Sequence, residues 1–75
     1  MQKVFFMSNQ TILYLPIDEI IYIQWKNRKL YVHTKDTIYP VSGYLIQYTF
    51  LLKHHFKKIN RNTMINYNVI TYIDK

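Results

Sequence analysis

Short alternating runs open the chain. Lys3–Met7 (KVFFM) and Thr11–Leu15 (TILYL) are β-rich, and the polar Ser8-Asn9-Gln10 between them predicts a hairpin. Pro16 ends the second run because it has no N–H for a ladder, and Pro16–Glu19 predicts one helical turn. Ile20–Trp25 (IIYIQW) is the strongest strand pattern. Its apolar residues occupy both faces as far as Gln24, as in a strand covered on both sides. Lys26-Asn27-Arg28 predicts a tight basic turn. Lys29–Thr34 returns with Leu30 and Val32 on one face, Tyr31 and a half-exposed His33 on the other. Lys35-Asp36 turns into a third strand of this group, Thr37–Val41, where Pro40 marks an edge or a strand end.

At Ser42 the period changes. Leu45, Tyr48 and Leu52 fall at i, i+3 and i+7, flanked by Tyr44 and Leu51, which predicts an amphipathic helix over about residues 43–53. Ser42 suits its N-cap, and Lys53-His54-His55 suit its C-terminus. Phe56–Asn66 then alternates again. Asn66-Tyr67-Asn68 reads as a turn and Val69–Ile73 as a last strand. The expected fold is mainly β: residues 1–75 form one small domain of short antiparallel strands with one helix.

Composition narrows the function. With 75 residues the core is thin, since such a chain buries only roughly 60% of its unfolded surface. No cysteine is present, which removes disulfides and thiolate metal sites and fits a reducing cytoplasm. The net charge of +6 favours a polyanion partner, above all nucleic acid. A membrane surface is disfavoured by the lack of a basic amphipathic helix, and the longest uncharged stretch, Thr37–Leu52, is too short and punctuated to span a bilayer. No targeting segment is visible in the sequence. Three histidines, two of them adjacent, make a poor chelating set, so no metal or other cofactor is expected. Asp18 and Glu19 read as a solvated turn. Four scattered acids and no paired nucleophile and base argue against an enzyme. A generic RNA-binding β domain would need exposed stacking aromatics, whereas the alternation places most aromatics on core faces.

The stretch with the richest chemistry is FKKINRNTMIN, residues 56–66. Lys57, Lys58 and Arg61 sit among Asn60, Asn62 and Asn66, with Phe56, Ile59, Met64 and Ile65 as apolar anchors, and no acid lies between Asp36 and Asp74. Asn60–Thr63 reads as a turn. A guanidinium and amides on a tight turn can reach phosphate oxygens and base edges. The plainer reading is a solvated basic loop over a β core.

The run Phe56, Lys58, Ile59, Arg61, Ile65, Asn66 resembles the signature of LytTR-type DNA-binding domains, output domains of many bacterial response regulators. Asp18-Glu19-Ile20-Ile21-Tyr22-Ile23 resembles the family's acidic-pair approach to a strand. His33–Asp36, Tyr39, Leu45, Tyr48 and Leu52 continue the match, so it covers about residues 4–73. The resemblance implies an all-β core with one small helix, dimeric or tandem binding to direct repeats in promoters, and major-groove contacts from loops. It places Arg61 at a DNA-contacting position, the Lys26–Arg28 turn at a second contact loop, and Lys58 at a conventional basic position. On this reading Arg61 reads a base edge, and Asn60 and Asn62 bond bases or backbone. Lys26, Arg28, Lys29, Lys57 and Lys58 hold phosphates of double-stranded DNA.

Three departures stand out. Asn60 replaces the family's usual His and Asn62 its usual Ser. The sequence also ends at Lys75, where family members usually continue through a further hairpin and a basic segment with a third DNA-contacting Arg. A last strand there would carry an unpaired edge. The chain is then expected to be either part of a longer protein or a short form that completes its sheet with a second chain. An alternative role follows: an interaction or inhibitor module that pairs with a full-length LytTR regulator by edge-strand addition.

Overall fold

The computed structural model describes residues 2–73, with side chains described through residue 70. Strands β1 (Lys3–Ser8) and β2 (Thr11–Pro16) form the expected hairpin. Asn9 and Gln10 close it with both φ positive, at 51° and 65°. Such a mirror-image turn matches the right-handed twist of the strands it joins. A 3-10 turn, Ile17–Glu19, follows, and the Ile17 N–H donates to the Gln2 carbonyl at 3.0 Å.

Strands β3 (Ile20–Lys26), β4 (Lys29–Thr34) and β5 (Ile38–Val41) run as an antiparallel meander. Helix α1 (Leu45–Leu51) then crosses the sheet to β6 (Phe56–Asn60) and β7 (Thr63–Asn66). The second hairpin docks through β7 onto β3, giving the order β5-β4-β3-β7-β6. A bulge at Ile21 lets Ile20 and Ile23, three apart, both turn inward. They join Leu30, Val32, Phe56 and Met64 on one face of the sheet. Val4, Phe6 and Leu15 of the hairpin and Leu45 and Leu52 of the α1 region close over that face. Burying this layer is what holds so small a chain together.

The opposite face departs from expectation. It presents Tyr22, Gln24, Tyr31 and His33 only half-buried, so among the described residues β3 is covered on one side. The Tyr22 and His33 rings stack there at 3.9 Å. The aromatics are likewise less internal than alternation suggests. Phe6 and Phe56 are core residues and Trp25, Tyr39 and Tyr48 pack against the core, while Phe5, Tyr14, Tyr44, Phe50 and Tyr67 are exposed.

Both sheet edges are defended. At β5, Pro40 has no N–H to offer, and its carbonyl accepts from Ser8 Oγ at 2.8 Å. The Ser42 N–H donates to the Met7 carbonyl at 2.7 Å, tying β1 to the end of that edge. At β6, exposed Lys57 and Lys58 and a bulge before Asn60 discourage further pairing. Ile59 is exposed there and does not anchor the strand.

Further expectations are corrected. The helix is shorter than residues 43–53 and Ser42 does not cap it. Gly43 takes φ of 110° and Tyr44 is extended, so helical geometry begins at Leu45. Gln47 Oε1 accepts from the Tyr44 N–H at 2.6 Å and serves the cap instead. Lys53-His54-His55 lie in turns beyond the helix, and Tyr44 and Leu51 point to solvent. Lastly, Val69–Ile73 is not a strand but part of a second helix, α2 (Tyr67–Ile73). Asn66 Oδ1 accepts from the Asn68 N–H at 3.0 Å, a cap that outweighs the strand preference of the β-branched residues. Consequently β7 is interior and carries no free edge. No described helix is long and apolar enough to cross a membrane.

Candidate nucleic-acid interface

Antiparallel pairing decides which loops meet. The β3–β4 turn and the β6–β7 turn lie at one end of the five-stranded sheet, because β3 and β7 are neighbours running in opposite directions. The Trp25 N–H donates to the Asn62 carbonyl at 2.7 Å and locks the second turn against the first. Between them lies an open groove lined by Gln24, Trp25, Lys26, Asn27 and by Asn60–Thr63. A second hollow on the other flank joins Trp25, Arg28 and Lys29 to Ser42, Gly43 and Tyr44. Trp25 and Tyr44 rings are 5.3 Å apart there. Three loops therefore converge on one end.

The first turn shows local conflict with stability. Asn27 and Arg28 both hold positive φ, at 54° and 63°, a region that bulky side chains rarely take. Lys26 and Lys29 stand directly opposite each other across the hairpin. Like charges so placed are destabilising. In the other turn, Asn60 Oδ1 accepts from the Asn62 N–H at 2.9 Å, so one side of that amide braces the loop that carries Arg61. Among the described residues, the Arg61 guanidinium has no ion-pair or hydrogen-bond partner. Local choices that sacrifice stability tend to mark functional surfaces.

The sequence-predicted residues divide between two places. Lys26, Arg28, Lys29, Asn60, Arg61 and Asn62 gather at the shared end. Lys57 and Lys58 lie farther back on edge strand β6, opposite Ile65 and Met64, and do not line the groove. Gln24, Trp25, Asn27 and Thr63 were missed as groove residues. Asn27 sat within a recognised turn, and Gln24 was visible as the break in an apolar run. Neither signal indicates a meeting with the distant Asn60–Thr63 turn.

Charge follows the same axis. The shared end carries Lys26, Arg28, Lys29 and Arg61 with no acid among the described residues. Every acid among the described residues lies towards the other end: Asp18 and Glu19 just before β3, Asp36 in the β4–β5 turn. The resulting field points the groove at polyanions.

Residues 10–75 match the family model described as the LytTr DNA-binding domain. A similar solved structure is described as the LytTr DNA-binding domain of a methyl-accepting/DNA response regulator from Bacillus cereus. It aligns at a TM-score of 0.75 with 22% identity, over 91% of this chain. The present chain spans 63% of that chain's length. No curated protein sequence matches it significantly.

Proposed function

The chain belongs to the LytTR DNA-binding domain family, and from that premise we propose that its paired turns read double-stranded DNA in bacterial transcription regulation, within the cytoplasm. The observation that carries this reading is the backbone bond from Trp25 to Asn62, which makes one surface of two basic turns. Four adjacent strands at about 4.8 Å spacing put the two turn centres about 10 Å apart. That is close to the roughly 12 Å width of a major groove. The Arg61 turn enters the groove, and the Lys26–Lys29 turn rests on flanking phosphates.

Arg61 is the base reader. Its fork suits guanine O6 and N7, and no described partner holds it back. Asn62 and the amide nitrogen of Asn60 supply further donors. Lys26, Arg28 and Lys29 fix position without reading sequence. Lys57 and Lys58 add attraction at a distance from the groove.

Selection from a random duplex library at physiological salt tests the reading. A short enriched motif is expected, and Arg61→Ala should weaken it by about 1–3 kcal/mol with relaxed preference at one position. If Arg61→Ala weakens enriched and random DNA equally, Arg61 does not read a base.

A further inference from the structure

One large surface plays no part in the groove. The β1–β2 hairpin turns Phe5, Met7, Ile12 and Tyr14 outward, away from the sheet it covers. Pairing sets Phe5 opposite Tyr14, with rings stacked at 4.6 Å, and Met7 opposite Ile12. Phe5 and Leu51 of α1 line one shallow groove, floored by Val4, Ile17 and Leu52. Phe50 beside it extends the surface. These six outward side chains are each between 46% and 73% exposed.

We propose that this hairpin-and-helix face is a self-association surface, occupied by the same face of a second copy of the chain. Area is the first argument. At on the order of 100 Å² each, six large apolar side chains expose about 600 Å². That is the top of the range for patches on ordinary monomers. It also equals one partner's share of a small specific interface, about 1,200 Å² in total. Charge is the second. The hairpin strands and α1 contain a single charged residue, Lys3, whose ammonium lies 5.2 Å from the Tyr14 ring centre. Two chains of net charge +6 repel almost everywhere else, and meet here with least cost. An acidic partner would find one cation to pair with. An apolar sheet face packs against another like itself.

Sedimentation velocity across two orders of magnitude in concentration tests this without DNA, so its failure leaves the DNA-reading proposal standing. A reversible dimer is expected. Leu51→Lys and Ile12→Lys should each raise its dissociation constant about tenfold or more, with thermal melts confirming that both variants fold. Ile59→Lys, on the exposed edge strand, should leave it unchanged. The sequence has no cysteine, so a spin label on Leu51→Cys gives a second readout, a single short interlabel distance. A monomer at all concentrations overturns the proposal, leaving the face to a different protein. A dimer lost in Ile59→Lys but kept in Leu51→Lys overturns it too.

Discussion

Asn66 joins three parts of the chain through one side chain. Its Nδ2 donates to the carbonyls of Ile17 and Ile20 at 3.2 and 2.9 Å, and its Oδ1 caps α2. The residue is buried, so Asn66→Ala removes a bond from the Ile20 carbonyl and from the Asn68 N–H, while the Ile17 carbonyl keeps the Ile20 N–H. We expect a loss of about 2–3 kcal/mol, read as a lower urea midpoint at unchanged m-value. The sequence exposed its presence in a basic, Asn-rich run but not this role, because a bracing asparagine and a turn asparagine look alike in sequence. His33 gives a second residue-scale prediction. Burial, and then the nearby Lys26 charge, hold its pKa below the ordinary 6.5. Its Nε2 is enclosed without a hydrogen-bond partner. The unfolded chain therefore takes up the proton first. Stability is full above 6.5 and falls as pH drops below it, levelling only once the folded-state value is passed. Between about pH 7.5 and about pH 5.5 the melting temperature should decline, and His33→Phe should flatten that decline while keeping a ring against Tyr22.

The hairpin turns are where element geometry and binding chemistry oppose each other. Gln10 and Arg28 occupy equivalent positions, each the second residue of a two-residue turn at positive φ. A glycine there relieves a conformational cost of about 1 kcal/mol, partly offset by its greater freedom when unfolded. Both Gln10→Gly and Arg28→Gly should therefore raise the melting temperature slightly. Only Arg28→Gly should weaken DNA binding, as measured by titration with a selected duplex. These hairpins were legible because alternation and turn residues agree: KVFFM and TILYL around Ser8-Asn9-Gln10, IIYIQW and KLYVHT around Lys26–Arg28. Helix α2 was not. Val69, Ile70 and Ile73 favour strands, and the cap that decides against them depends on an asparagine oriented by distant contacts. The start of α1 was misplaced for a related reason. Ser42 has the right chemistry for a cap, but Gly43 breaks the backbone after it, and a Cβ on Gly43 would lie 2.7 Å from Gln47 Oε1.

At the scale of the whole molecule, charge is sorted along the sheet. Lys26, Arg28, Lys29 and Arg61 share one end, while Asp18, Glu19 and Asp36 lie towards the other. If those four cations displace counterions, log K should fall against log salt with a slope of roughly −3 to −4. Arg28→Ala should reduce the slope by about one, and Lys57→Ala, back on edge strand β6, by less. A salt series on the three proteins measures this. The basic residues of the site were legible one by one, but this sorting was not. The acids are scattered in sequence, and only the β3–β7 pairing gathers Lys26 and Arg61 at the end away from them. The same pairing has an optical consequence. The chain's one tryptophan, Trp25, lies in the wall shared by both hollows at that end, beside Tyr44. Its emission is a native fluorescent label already sited where an occupant would change its surroundings.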